Sequence, residues 1–175
     1  MEEKGVFARL FGFGKRKPTF SVNTEIRIRT VGDIPPMIEA KRLIGNGDAN
    51  AAIVFIFNTA KKDYARFFGV RIDQNEPNRQ FLIKSFASFG IRIPEEGNLD
   101  NTVIQESVNN PPAINDKQIN QFSALRKLTT FYIELYEGAR FSSGFKGDPE
   151  LIVEKISDVY NYMDIPKLYF SEEYQ

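Results

Sequence analysis

From Asp48 to Gly69 runs the stretch DANAAIVFIFNTAKKDYARFFG, in which Ala52, Ile53, Ile56, Phe57, Ala60, Tyr64, Phe67 and Phe68 recur at i, i+3 and i+4 spacing. On a helix of about 3.6 residues per turn, that spacing gathers the large apolar side chains onto one face. Asp48 is suited to cap the start, and Gly69 to take the left-handed conformation at the end. The segment therefore reads as one helix of roughly 28 Å at 1.5 Å per residue, and a face this apolar has to be buried against other elements. This helix should be central to whatever the chain folds into.

The neighbouring segments repeat the pattern. Asp33 reads as a cap ahead of Pro35 and Pro36, with Met37, Ala40, Leu43 and Ile44 leading to Gly45, so a first helix is expected over Pro35 to Ile44. In EPNRQFLIKSFASFG, Pro77 sits near a start, Phe81, Leu82, Ser85, Phe86 and Phe89 share a side, and Gly90 marks the stop. Ile93 to Asn115 is punctuated by Pro94, Gly97, Pro111 and Pro112, with a short helix expected through NTVIQESV. Asn115 or Asp116 then caps a helix whose stripe is Ile119, Phe122, Leu125, Leu128, Tyr132, Leu135, Tyr136 and Ala139. Asp148 and Pro149 open a last helix carrying Leu151, Ile152, Ile156, Val159, Tyr160 and Met163, and the tail beyond Asp164 is acidic and aromatic. No repeat of solenoid period is present. The expectation is an all-α fold, an up-and-down bundle of four to five helices over residues 33–175, preceded by an extended N-terminal arm over residues 1–32. In the arm, Ile26 and Ile28 alternate with Glu25, Arg27 and Arg29, a period-two pattern that suits a strand or extended segment. Three states stay open for it: packed on the body, paired with another chain, or mobile.

What the chain lacks limits its chemistry. With no Cys and no His among 175 residues, it cannot supply a thiolate nucleophile, a Ser-His-Asp triad, a histidine base or a Cys/His zinc site. No paired-acid motif is evident either, so the chain is expected not to be an enzyme and to need no cofactor or metal. A length of 175 residues suffices for one core without disulfides, and a chain without Cys carries no sign of its redox compartment. Lysine plus arginine equals aspartate plus glutamate at 23 each, so no global basic field draws it to nucleic acid. The longest apolar run, Ala51 to Phe57, is far short of the roughly 20 residues of a membrane span. A cytoplasmic location is expected.

Two local features bear on binding. Within residues 4–17, Val6, Phe7, Leu10, Phe11 and Phe13 interleave with Lys4, Arg9, Lys15, Arg16 and Lys17, a pattern open to peripheral membrane contact or partner docking, or to a frayed or packed terminus. Its GFGKRK is not a phosphate loop, because Arg9 and Arg16 stand where that loop needs a glycine and a hydroxyl residue. Elsewhere, cations sit among aromatics: Lys61, Lys62 and Arg66 before Phe67 and Phe68, Arg79 before Phe81, and Arg140 before Phe141. Such platforms can stack and pair with nucleotides, although aromatics at core spacing point first to packing. These five cations are the candidate binding residues. Arg140 is read first as a clamp at the end of a helix, bonding its last carbonyls or an acid such as Glu137 or Asp148, with Phe141 reaching the core and no open pocket alongside.

The segment LTTFYIELYEGARFS, Leu128 to Ser142, followed by DPELIVEKISDVYNYM, resembles the end of a small helical domain of unknown function. That domain is usually found at the C-terminus of transglutaminase-like proteins, in operons with MoxR-type ATPases. AIVFIFNTAKKDYARFFGV and EPNRQFLIKSFASFGI resemble its earlier helices, and the likeness spans about Leu43 to Met163. The resemblance implies an accessory, non-catalytic module that docks on a protein partner. LIGNGDANAAI also resembles the opening of HEPN helical bundles, whose ribonuclease members need an arginine-x4-histidine motif that a chain without His lacks. That likeness implies, as the alternative, nucleotide or RNA binding through Lys61, Lys62, Arg66 and Arg79.

Overall fold

The structure is a computed structural model that describes residues 30–93, 99–100, 105, 107, 109–110, 112–141 and 144–170. The arm up to residue 29, with the 4–17 segment, lies outside the described residues, as do most of NTVIQESV and the last five residues. The described residues are helical, with no strand among them.

Helix α1 (Pro35–Gly45) has its prolines in the first turn, where their missing N–H groups would have had no helical partner. Its cap differs from the expectation. Asp33 does not cap α1; its carboxylate accepts from the backbone N–H and hydroxyl of Thr30, closing a single 3-10 turn, Val31–Asp33, that stands where the end of an extended arm was expected. Ile34, fully buried, precedes α1 with no side-chain cap bond. Helix α2 (Ala49–Phe68) begins with Asp48 accepting from the Ala51 N–H at 3.0 Å and ends at Gly69, whose φ of 68° is left-handed. Helix α3 (Asn78–Ala87) comes after the turn at 73–76.

Helix α4 (Asp116–Phe131) opens with a reciprocal box in which the side chains of Asn115 and Gln118 each accept the other's backbone N–H at 3.2 Å. It runs into a π-helical turn, Tyr132–Tyr136, and a last short piece, α5 (Glu137–Phe141). Just before the π turn, the hydroxyls of Thr129 and Thr130 donate to the carbonyls of Leu125 and Arg126, four residues back, a contact that bends helices. Helix α6 (Pro149–Tyr160) is capped by Asp148, which accepts from Glu150 N–H at 2.9 Å. The tail then forms one more helix, α7 (Ile165–Phe170), which buries Ile165 and Leu168.

The result is an all-α bundle built round α2, which packs against α1, α4, α5 and α6, while α4 packs also on α6 and α3. At the centre the ring of Phe57 meets those of Phe131, Tyr132 and Tyr136 at 6.0, 5.5 and 4.7 Å. Two expected core positions are outside it. Ile119, in the first turn of α4, is 46% exposed, and Phe141, beyond the π turn, is 71% exposed. Continued at 3.6 residues per turn, the stripe through Leu128, Tyr132, Tyr136 and Ala139 leaves residue 141 on the opposite face, so the exposure of Phe141 follows the helix period and its expected reach into the core does not occur.

A buried polar tie joins α2 to the C-terminal helices. Asp63 accepts from the hydroxyls of Tyr160, at 2.6 Å, and Tyr169. Burial pushes the Asp63 carboxyl above its usual range, partly offset by these hydroxyls and by Arg66.

Candidate functional site

The five candidate cations do not form one cluster. Arg66 braces α7, donating to the Leu168 carbonyl at 2.9 Å, standing 3.6 Å from Asp63 and lying over the Tyr169 ring. This is a structural post and not the expected ligand contact. Arg79 is half-buried, within electrostatic reach of Tyr132. Burial pushes that phenol up to about 12, helped by the carboxylate of Glu137. Lys61, Lys62 and Arg140, by contrast, come to the two adjoining hollows on one side of the bundle.

These hollows open between α2, the segment 72–78 and α5. Asn58, Gln74, Asn75, Glu76 and Asn78 line both. The first, about 570 Å³, adds Val54, Pro77, Tyr136 and Arg140. The second, about 750 Å³, adds Lys61, Lys62, Ile72 and Asp73. The wall is held by three local devices. Gly69 ends α2 and turns the chain, the Glu76 N–H bonds the Asp73 carbonyl at 3.0 Å, and Pro77 takes an extended conformation before α3. The Glu76 side chain, only 4% exposed, is ion-paired with Lys84, which also stands 3.8 Å from Asp73.

Lys61 is 7% exposed, so it does not offer its charge to a ligand as expected. Its ammonium donates to the Glu76 carbonyl at 3.2 Å and to Asn78 Oδ1 at 2.8 Å, and it lies over the Phe81 ring. Burial lowers its pKa, Glu76 opposes that and Lys62 adds to it. Asn78 in turn donates from Nδ2 to Asn58 Oδ1 at 2.9 Å. Lys62 is exposed at the rim.

Arg140 departs from the expected clamp. Among the described residues it bonds neither a carbonyl nor Glu137 nor Asp148; one guanidinium N–H donates to the Tyr136 hydroxyl at 3.2 Å, and the group lies 5.0 Å from the centre of the Phe141 ring. It is exposed and faces an open hollow. The π turn accounts for this. The Glu137 N–H bonds the Tyr132 carbonyl five residues back, Tyr132 and Tyr136 stack at 5.3 Å, and Arg140, four residues on, comes to the same wall as Tyr136.

Asn58, Asn78, Gln74 and Asn75 were not among the expected site residues. Asn58 did carry a signal, since asparagine is a weak helix former with no cap to fill in the middle of α2. The loop amides carried none beyond turn chemistry.

Chemically, the first hollow offers donors and an aromatic wall. Its one carboxylate, Glu76, is held by Lys84, and Asp63 lines neither hollow. Among the described residues no group of three acids could hold a metal ion, and no helix is long and apolar enough to cross a membrane. Comparison with known proteins finds no matching family model, no similar curated protein and no similar solved structure.

Proposed function

We propose that this chain is a non-catalytic helical module that docks on a partner protein, in the cytoplasm, and that the hollow beside Arg140 is its recognition site. The observation that carries the reading is an open hollow faced by Arg140, Tyr136 and Asn58, whose one carboxylate, Glu76, is ion-paired with Lys84. The likeness of Leu43 to Met163 to an accessory helical domain of transglutaminase-like proteins points the same way. The alternative, a nucleotide- or RNA-binding HEPN-like bundle, draws on Lys61, Lys62, Arg66 and Arg79. It has less to work with, because Lys61 is buried on Asn78 and Arg66 is spent on α7.

Affinity capture from cells of the native source, followed by purification of the captured protein and calorimetric titration against this chain, tests the proposal. A saturable complex that no mononucleotide displaces is expected. Absence of any protein complex, together with binding of a short RNA or nucleotide that weakens steeply with salt, would reverse the order of the two readings.

A further inference from the structure

We infer that the hollow between α2, the 73–78 segment and α5 binds a carboxylate, either the C-terminal carboxylate of a partner peptide or one of its Asp or Glu side chains. This rests on the interaction-module reading and specifies what the module recognises.

The chain of bonds starts at the ammonium of Lys61. An ammonium can only donate, so its 2.8 Å contact fixes which end of the Asn78 amide is the oxygen. The Asn78 NH2 group is then the end that meets Asn58 at 2.9 Å, so the Asn58 atom it meets is Oδ1. Asn58 is thereby left with its own NH2 group, two N–H donors with no partner among the described residues, at the boundary shared by both hollows. A buried lysine thus sets the polarity of a surface amide two links away. Among the described residues Arg140 uses one of its five N–H groups, on Tyr136. Tyr136, having accepted that bond, keeps its own hydrogen to donate.

Asn58, Tyr136 and Arg140 therefore turn donors toward the first hollow, whose one carboxylate, Glu76, is ion-paired with Lys84, and these three suit a ligand that only accepts. An ionised carboxylate does so with two oxygens in a plane, the geometry a guanidinium fork meets best. A neutral carbonyl would leave the Arg140 charge unanswered. A phosphate dianion would bring twice the negative charge of a carboxylate up to Glu76, the one carboxylate of the first hollow, whose cation Lys84 is already engaged. Val54 and the Tyr136 ring give the hollow an apolar side for the body of a peptide residue.

Side-chain amide and guanidinium resonances of the isotopically labelled protein, followed during titration, test the inference. Four probes serve: N-acetylglycine, with a free terminal carboxylate; N-acetylglutamic acid α-amide, with a side-chain carboxylate; N-acetylglycinamide, which is neutral; and inorganic phosphate. One or both carboxylates should shift the Asn58 NH2 and Arg140 signals saturably, the tighter of the two identifying the source, while the neutral amide leaves them in place. Arg140→Gln should weaken carboxylate binding roughly tenfold, the loss of one charge-assisted contact, with an unchanged thermal transition showing that the fold is intact. Shifts caused equally by the neutral amide, or by phosphate at lower concentration than either carboxylate, overturn the inference, as does absence of any shift. If the captured partner binds wild type and Arg140→Gln alike while the carboxylates fail, the interaction module stands, but the recognition site beside Arg140 falls with this assignment of its ligand.

Discussion

Arg140 illustrates how little a residue's neighbours in sequence say about its load. A cation at a helix end is commonly a peg for the last carbonyls, but here the side chain bonds the Tyr136 hydroxyl and is exposed. Arg140→Ala is therefore expected to change unfolding free energy by less than about 1 kcal/mol in urea titrations, in the range of ordinary surface substitutions, whereas a true clamp would cost more. Asp63 is the opposite case, an acid at core depth. Its folded-state pKa is raised above the ordinary 3.8, chiefly by burial. Between those two values the folded chain holds a proton that the unfolded chain has released, so stability falls as pH rises through that window and is greatest below it. Unfolding wild type and Asp63→Asn at about pH 3.5 and pH 7 exposes the slope. The wild type should gain on the variant at the lower pH, and equal differences at both would show that Asp63 does not titrate as its burial requires.

At the scale of elements, the junction between α5 and α6 is fixed by a contact reaching back to the start of α2. The Phe145 N–H donates to Asn50 Oδ1 at 2.8 Å, and Gly144 has a φ of 90°. A Cβ at residue 144 would stand 2.7 Å from Asn50 Nδ2. Gly144→Ala meets both backbone strain and a clash, and is expected to cost about 1 to 3 kcal/mol, read as a lowered denaturation midpoint with unchanged slope. Helix boundaries were the most legible part of this chain. Asp48, Gly69, Asn115, Asp148 and Pro149 all stand where capping chemistry puts them. Asp33 did not, because Thr30 three residues earlier offers its carboxylate a nearer pair of donors. The π turn was not legible, since nothing in YIELY dictates a bond to the carbonyl five residues back, and stacking of Tyr132 on Tyr136 against Phe57 accompanies it.

For the whole molecule, Phe57 joins α2 to the α4–α5 arm through three aromatic partners and is fully buried. Phe57→Ala should cost about 3 to 5 kcal/mol, the usual range for a large core deletion. Because Tyr136 lies 4.7 Å away and forms part of the hollow, the same substitution should also disturb the Asn58 and Arg140 resonances. Loss of stability with those signals unmoved would mean that the core does not position the site. The all-α class, the central place of α2 and most of the core face came from the amino-acid sequence alone, because helix periodicity and capping are local rules that act within a few residues of one another. The tertiary structure alone decided which cations are engaged within the fold: Lys61 is buried, and Arg66, although exposed, is braced on α7. Lys61 meets Asn78 across 17 positions and Arg66 meets Leu168 across 102. Burial of a charge depends on the partner brought to it through space, and no local pattern in the chain encodes that meeting.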